Sequence, residues 1–320
     1  MNIVDLKKGN TKIGIEVVLS KIETRPFTNK KGNFLSLEFS DMTGVISGSK
    51  WDNIEEDQNL KEGSVVKCLC SVSEFNGNLQ LNVSSMTKVL NPDLTKYIPS
   101  YSSEEIDIAK DILNNEHSLI KEPFSRKIWG ILLDPNGDLF NSLSIFPAAK
   151  THHHNKLGGL LIHTASVVEN CSILSKKYGI EGTERDLLIT AALLHDIGKI
   201  KEYSYSKGFI DITDEGKLIG HIIYSIEILH DITKGFADGN YEKLTILKHL
   251  ILSHHGQYEW GSPKLPCNKI DFILHFADNL DSKMNGIDQI MDSDSNEDSN
   301  WTPFKMGQSF FKVNQVLNKL

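Results

Sequence analysis

The chain has 320 residues, of which 39% are hydrophobic and 24% are charged, and its formal net charge at pH 7 is −8. This length is enough for a sizeable core and two domains, and the composition is that of an ordinary soluble globular protein. No apolar run approaches the ~20 residues of a membrane span, and the N-terminus lacks a secretory signal pattern, so we expect a cytoplasmic protein without a membrane segment.

The negative charge is unevenly distributed along the chain. Residues 1 to 90 carry 11 Lys/Arg and 11 Asp/Glu, whereas residues 285 to 300 hold five acids and no base. The acidic total therefore does not exclude a polyanionic substrate. Four cysteines without CxxC spacing are predicted to be reduced core thiols rather than metal or redox groups: Cys68, Cys70, Cys171 and Cys267.

The first part of the chain, residues 1 to 90, has the pattern of short strands separated by turns. Apolar and polar residues alternate over residues 34 to 39, and Asn76-Gly77 is a hairpin turn dipeptide. Strands are predicted near residues 12–24, 33–40, 44–51, 64–74 and 78–86, with a short helix over 52–60. Five strands with a helix after the third is the order of an OB-fold barrel.

The loop after the first strand is a candidate nucleic-acid-binding surface. It combines positive charge with an aromatic ring, as a surface that contacts phosphates and stacks on bases requires: Arg25, Phe27, Lys30 and Lys31. The alternative is a solvated hairpin loop. The segment Asp41-Met42-Thr43-Gly44, followed by Trp51, resembles the strand-turn-strand of OB-folds that bind tRNA or single-stranded nucleic acid.

Residues 91 to 102, with two prolines and little pattern, are predicted to be a linker. Ser102 and Glu105 then form a capping box, and helical periodicity dominates the rest of the chain. Helices are predicted at about residues 103–115, 124–133, 159–178, 184–195, 220–233, 241–255 and 268–284. Residues 103 to 320 should therefore form an all-α domain, in which residues 292 to 299 are expected to be a loop.

All twelve histidines lie in this second part, and an ordered series of histidines and aspartates suggests a metal site: His163, His195, Asp196, His221, His254, His255 and Asp278. Imidazole and carboxylate ligands together suit divalent Mn, Fe, Co, Ni or Zn. The series is too large for one tetrahedral ion. Two ions about 3.5 to 4 Å apart, bridged by a carboxylate, would use it, and such pairs serve displacement at phosphorus.

Helical phasing tests whether these side chains can face a core. His163, His195 and His254 each continue the apolar stripe of their helix, and Asp278 lies one turn after Leu274. His255 lies roughly 100° off its stripe and is ranked below His254. His221 follows Gly220 at a helix start, so its position relative to an apolar stripe cannot be assessed. A single histidine is more often a hydrogen-bonded core or surface residue, but several helices presenting the same residue types favour a shared site.

The segment Leu194-His195-Asp196-Ile197-Gly198-Lys199, with His163 upstream and Asp278 downstream, resembles the HD superfamily of metal-dependent phosphohydrolases. The resemblance implies that one ion is held by His163, His195, Asp196 and Asp278. It also implies that Asp196 bridges to a second ion held by His221 and His254. His255 is an additional candidate ligand for this ion.

A narrower resemblance covers nearly the whole chain. An OB-fold joined to an HD domain, with Phe146-Pro147-Ala148-Ala149-Lys150, then His152-His153-His154, then residues 158 to 164, GGLLIHT, is similar to the YhaM-type 3′-to-5′ exoribonucleases. Ile162 replaces the glutamate that usually precedes the first ligand. The resemblance implies Mn- or Co-dependent removal of nucleotides from the 3′ end of RNA and single-stranded DNA, giving nucleoside 5′-monophosphates.

Further candidates surround the ligand series. Lys199 is placed to contact a phosphate oxygen or an acidic ligand, against the alternative of a solvated helix-end lysine. His153 and His154 are candidates to contact phosphate or protonate the leaving oxygen, against an exposed polar loop. Asp281 would orient a ligand or be a surface charge.

Two other functions compete with the exonuclease. One is an HD phosphohydrolase of mononucleotides or cyclic dinucleotides, in which the OB-fold is a regulatory or partner-binding module. The other is a non-enzymatic nucleic-acid-binding protein with a structural metal site. The full ligand series disfavours the second, since a structural site needs only about four ligands.

Overall fold

The computed structural model describes residues 1–28, 30–57, 59–151, 154–205, 207–236, 239–294, 296 and 298–317. The chain divides into two compact units. The first comprises Met1–Tyr101 and Tyr203–Asp214, and the second comprises Ser102–Glu202 and Glu215–Leu320.

The first unit contains a closed five-stranded barrel, as predicted for an OB-fold. Its strands are β1 (Ile13–Pro26), β2 (Asn33–Asp41), β3 (Gly44–Lys50), β4 (Val65–Phe75) and β5 (Asn78–Lys88). The barrel order is β1-β2-β3-β5-β4, in which β3 and β5 run parallel and the other neighbours run antiparallel. The predicted alternation therefore corresponds to side chains that point into and out of a closed sheet.

Alternate side chains of these strands fill the barrel, and Phe39 and Leu81 are fully buried at its centre. Gly48 is required where β3 crosses this core, because a Cβ atom there would lie 2.8 Å from the Phe39 ring. The segment predicted as a helix after the third strand is a 3-10 helix, Ile54–Asp57. Its last residue forms a buried ion pair with Lys50 at the end of β3.

The expectation that the chain is entirely helical after residue 103 is wrong for a small hairpin, and isolated β-bridges also join Trp301 to Phe311 and Lys305 to Gln308. Residues Tyr203–Ser204 (β6) and Asp211–Ile212 (β7) form a small antiparallel hairpin, which belongs to the first unit. Within that unit, the close approach of Gly208 to Val18 of β1 explains why this position favours glycine. Short two-residue strands carry too little alternation to be predicted from sequence.

The second unit is helical. Its helices are α1 (Ser103–Leu119), α2 (Pro123–Leu132), α3 (Asp138–Ile145), α4 (Gly159–Lys177), α5 (Gly182–Leu194), α6 (Lys199–Glu202), α7 (Asp214–Ile219), α8 (His221–Thr233), α9 (Tyr241–Ser253), α10 (Lys269–Ser293) and α11 (Val313–Leu317). The predicted capping box of Ser102 and Glu105 is present at the start of α1. The helices that the periodicity missed, α3, α6, α7 and α11, are short. Among the described residues, no helix is long and apolar enough to cross a membrane.

The core of this unit is formed mainly by α2, α4, α5, α9 and α10. Trp129 of α2 is fully buried, and its indole N–H donates to the hydroxyl of Thr190 on α5, at 3.0 Å. Cys171 lies in this core, and Cys68 and Cys70 lie in the barrel, as predicted. The prediction for Cys267 is wrong, because this cysteine is exposed in the segment before α10.

Candidate metal centre

The helical unit brings the predicted ligands together from five helices. They lie within α4 (His163), directly after α5 (His195 and Asp196), at the first residue of α8 (His221), directly after α9 (His254 and His255) and within α10 (Asp278). Apolar stripes fix α4, α5 and α9 against the common core. As a result, His195 after α5 lies beside His163 in the first two turns of α4, and His254 after α9 lies beside His195.

The ligand atoms form two groups, each compact enough to hold a metal ion. The first group is His163, His195 and Asp278, and the second is His221, His254 and His255. The Asp196 carboxylate lies between them. Its Oδ2 atom is 3.3 Å from Nε2 of His163, and its Oδ1 atom is 3.3 Å from Nε2 of His221. One carboxylate therefore faces both groups with different oxygen atoms.

Each imidazole is held through its Nδ1 atom. The Nδ1 contacts are His163 to Asp281 Oδ2 at 2.6 Å, His195 to the Ala192 carbonyl at 2.8 Å, His221 to Glu202 Oε2 at 3.1 Å, His254 to the Ile251 carbonyl at 2.7 Å and His255 to the Trp260 carbonyl at 2.9 Å. A carboxylate or carbonyl on one ring nitrogen is the usual way to fix the tautomer of a metal-binding histidine. Nε2 is then the nitrogen through which each ring would bind an ion.

Buried polar atoms at this centre test whether its residues fit a metal. Within the part of the chain that the structure describes, Asp196 Oδ1, His221 Nε2 and His254 Nε2 are buried and have no hydrogen-bond partner. Burying such groups without a partner is costly, and a bound cation removes that cost. The residues therefore fit a divalent metal, in agreement with the donor types that the sequence presents.

The charges of the centre are set by its neighbours. Burial opposes ionisation of Asp196, but Lys199 and His195 outweigh it and hold the pKa of the carboxyl well below its usual range. Burial would also lower the pKa of His163, but hydrogen bonds to the carboxylates of Asp196, Asp278 and Asp281 raise it well above its usual value.

In the second imidazole group, the pKa values of His254 and His255 are lowered rather than raised. Burial holds the pKa of His254 well below its usual value, and the neighbouring His255 and His195 lower it further. Burial also lowers the pKa of His255, and His221 adds to the effect. The lowered pKa values favour the neutral, metal-binding form of the His254 and His255 rings.

The other candidates lie at the same place. Lys199 is buried rather than solvated, and its Nζ atom is 2.6 Å from Asp196 Oδ2. His154 is also buried, and its Nε2 atom lies 3.0 Å from Asp281 Oδ2. His153 lies outside the described residues. Gly159 permits this packing, because a Cβ atom there would lie 2.1 Å from the His154 carbonyl oxygen.

Glu202 is a residue of this centre that sequence reasoning missed. It ends α6, and besides the Nδ1 contact its Oε1 atom accepts from the backbone N–H of His221, at 3.3 Å. Glu202 and its partner His221 are 19 residues apart in the sequence, and α6 is too short to show a periodic apolar stripe. The one available signal is its place one turn after Lys199.

The barrel carries an aromatic platform that the sequence indicated only in part. The platform consists of Phe27, Phe34 and Trp51, whose ring centroids lie 4.8 to 6.1 Å apart. Lys30 Nζ lies 4.0 Å from the centroid of the Phe27 ring. Phe34 lies in the alternating strand β2, and this local pattern indicates a sheet but not a contact with the rings of Phe27 and Trp51.

The two remaining basic candidates, Arg25 and Lys31, have no described contact with the rings of the platform. Arg25 lies within β1, and its Nη2 atom is 2.6 Å from Glu23 Oε2, so its charge is already paired. Lys31 is exposed in the loop between β1 and β2. The platform, rather than the row of charges, is therefore the most distinctive feature of this surface.

Comparisons with known proteins agree with both units. Residues 160–283 match the family model of the HD domain, and residues 14–89 match that of an OB-fold nucleic acid binding domain. An HD domain implies dependence on divalent metal.

Whole-length relatives are similar over most of the chain. The 3′-5′ exoribonuclease YhaM of Geobacillus sp. (strain WCH70) is 32% identical over 86% of this chain and 84% of its own. That of Bacillus subtilis (strain 168) is 32% identical over 87% of each chain. At this identity and coverage, the chain belongs to the YhaM family of 3′-5′ exoribonucleases.

Proposed function

We propose that this protein is a metal-dependent exonuclease that degrades single-stranded RNA, and single-stranded DNA, from the 3′ end to nucleoside 5′-monophosphates. The observation that carries the proposal is the Asp196 carboxylate, whose two oxygens face two separate imidazole groups. The direction of digestion rests on the relatives, which are named 3′-5′ exoribonucleases.

The ligand assignment follows from the two groups. His163, His195 and Asp278 would hold one divalent ion, His221, His254 and His255 would hold another, and Asp196 would bind both. Imidazole and carboxylate donors suit Mn²⁺ or Co²⁺, and also Fe²⁺, Ni²⁺ or Zn²⁺. Ions at these groups would supply Lewis acidity and an activated water for in-line displacement at phosphorus.

The protein's own groups prepare this chemistry. Asp281 and Glu202 fix the imidazoles of His163 and His221, so that the ligand atoms need no reorganisation when substrate binds. Lys199 keeps Asp196 ionised and places a positive charge where a phosphate oxygen would approach.

His154 has a different proposed role from the one suggested by the sequence. Because its ring is buried and contacts Asp281, we assign it as a positioning residue for Asp281 and His163 rather than as a contact to the substrate phosphate. A role for His153 in contacting phosphate or protonating the leaving oxygen stays a prediction, as does a cytoplasmic location.

The barrel would capture the strand without reading its sequence. The rings of Phe27, Phe34 and Trp51 can stack on any base, and Lys30 and Lys31 can contact the backbone phosphates. Such capture would favour a single-stranded polymer over a free mononucleotide as the substrate.

A labelled oligonucleotide tests the proposal. Single-stranded RNA labelled at its 5′ end, incubated with the protein and Mn²⁺, should give a ladder that shortens one nucleotide at a time, with release of nucleoside 5′-monophosphates. Asp196→Ala should abolish the ladder and leave RNA binding nearly unchanged. Intact RNA alongside hydrolysis of mononucleotides or cyclic dinucleotides would instead identify the competing phosphohydrolase.

A further inference from the structure

A third group of metal-ligand side chains lies in the helical unit and shares no residue with the two groups of the histidine centre. It consists of His249 from α9, Cys267 from the segment before α10, and Asp271 from the first turn of α10. One ligand atom from each lies within 4.8 Å of the others.

The three atoms have the spacing of ligands around one ion. His249 Nε2 is 3.2 Å from Cys267 Sγ and 3.0 Å from Asp271 Oδ2. Ligand atoms on a tetrahedral zinc ion lie about 3.3 to 3.6 Å apart, given bond lengths of about 2.0 to 2.3 Å. An ion would therefore require His249 Nε2 to move away from each of these two neighbours by only a few tenths of an ångström.

Hydrogen bonding alone leaves this group incompletely satisfied. An imidazole nitrogen carries either one hydrogen or one lone pair, so His249 Nε2 can pair with only one of its two neighbours. The Asp271 side chain is fully buried, and among the described residues no group hydrogen-bonds to its Oδ1 atom. A cation would satisfy the nitrogen, the thiolate and the carboxylate together.

The carboxylate is also held in a fixed orientation. Asp271 Oδ2 accepts from the backbone N–H groups of Cys267, at 2.9 Å, and Asn268, at 3.2 Å. Asn268 caps α10 and accepts from the backbone N–H of Asp271 in return. The segment that bears the cysteine is thus locked to the helix that bears the aspartate.

We propose that His249, Cys267 and Asp271 bind one Zn²⁺ ion. A thiolate ligand favours Zn²⁺ over Mn²⁺, whereas the histidine centre has no thiolate among its ligands. Binding releases the thiol proton of Cys267 to solvent, so that sulfur binds as the thiolate.

The place of this site in the fold indicates its role. Helix α9 carries His249 and is followed directly by His254, and α10 carries Asp271 and, two turns later, Asp278. An ion at the third group would connect the two helices that bring ligands to the histidine centre. The role is structural, since it fixes these helices relative to each other and takes no part in the reaction.

Cobalt spectroscopy tests the site independently of nuclease activity. Full-length protein stripped of metal with a chelator and titrated with Co²⁺ should develop a near-ultraviolet sulfur-to-cobalt charge-transfer band, which Zn²⁺ then abolishes. Cys267→Ser should lose the band and keep the fold, since the side chain is exposed. His249→Gln should weaken the Co²⁺ affinity measured from the same band.

Two control variants identify the thiolate that is responsible. Cys171→Ala removes the buried cysteine of the helical core, and Asp196→Ala removes the carboxylate between the two histidine groups; both should retain the band. Absence of the band in the unmodified protein would overturn the proposal. So would a band that persists in Cys267→Ser and disappears in Cys171→Ala or Asp196→Ala.

Discussion

At the scale of single residues, the centre depends on one buried lysine among histidines. Lys199 Nζ is 2.6 Å from Asp196 Oδ2, the same oxygen that faces His163 at 3.3 Å. A positive charge here balances a carboxylate that is buried away from water, and under the proposed mechanism it would also face the charge that develops on a phosphate.

Replacing this lysine should therefore lower the rate of hydrolysis strongly. For Lys199→Met we expect kcat on single-stranded RNA to fall by roughly 10²-fold or more, since removal of one preorganised charge contact to a transition state has an effect of about this size. The matched control is Lys201→Met, whose side chain is 43% exposed and 3.6 Å from Glu227. Equal losses in the two variants would show that Lys199 has no specific role.

A second residue-scale prediction concerns Asp281, which acts through a ligand. Its Oδ2 atom is 2.6 Å from His163 Nδ1 and 3.0 Å from His154 Nε2. For Asp281→Asn we expect metal affinity to fall by about 10- to 100-fold, as is usual when the partner of a metal-binding histidine is removed. Excess Mn²⁺ should restore much of the activity.

The control for this variant lies on the same helix. Asp288→Asn changes an exposed carboxylate of α10 two turns further on and should leave the metal titration unchanged. If Asp281→Asn lost activity that excess metal did not restore, the residue would be acting on the reaction itself rather than through His163.

At the scale of secondary structure elements, regular patterns were predictable and contacts between distant segments were not. The strands of the barrel and the phases of His163, His195 and His254 follow from alternation and helical periodicity, because one face of each element is buried. Helical phasing ranked His255 below His254, whereas ligand atoms of both lie within one group with His221. His255 comes two residues after Ser253, the last residue of α9, so the stripe of α9 does not govern its direction.

The contacts that were not predictable join residues that are separated in the sequence. Glu202 meets His221, and Phe34 joins Phe27 and Trp51, only after the chain has folded. Such pairings carry no local pattern that a single sequence could reveal.

The aromatic platform gives an element-scale prediction. Trp51 is 43% exposed at the end of β3 and lies 4.8 Å from Phe34, centroid to centroid. Stacking of one base on such a ring contributes about 1 to 3 kcal/mol. For Trp51→Ala we therefore expect single-stranded RNA to bind roughly tenfold more weakly or worse, measured by fluorescence anisotropy, while hydrolysis of a small phosphodiester is unchanged.

A matched control exists on the same barrel. Phe75→Ala removes an aromatic ring that is 66% exposed at the end of β4 and is not part of the platform. It should leave RNA binding unchanged. Equal weakening in both variants would mean that the strand follows another path over the barrel.

At the scale of the whole molecule, two units with separate hydrophobic cores divide the proposed work. The barrel core contains Phe39 and Leu81, and the helical core contains Trp129 and the apolar stripes of α4 and α5. The net charge of −8 does not prevent RNA binding, because residues 1 to 90 are neutral and strand capture is assigned to them. The candidate metal ligands of the histidine centre, in contrast, belong to the helical unit.

Removal of metal should consequently destabilise one unit and leave the other unaffected. A ligand present at 100 times its Kd stabilises the folded state by about 2.7 kcal/mol, which corresponds to roughly 5 to 10 °C in Tm for a domain of about 200 residues. In scanning calorimetry, chelation should therefore lower the transition of the helical unit by about this amount. The barrel transition should stay in place and serve as the internal control.

The two transitions can be assigned with a core variant of the barrel. Leu81 is fully buried, and Leu81→Ala should lower the barrel transition alone, since such a truncation costs about 2 to 5 kcal/mol. In Asp196→Ala, chelation should shift the helical transition less than in the unmodified protein, because one carboxylate faces both ligand groups. A chelator that moved the transition assigned to Leu81 would show that metal also stabilises the barrel, contrary to a centre built only from helical residues.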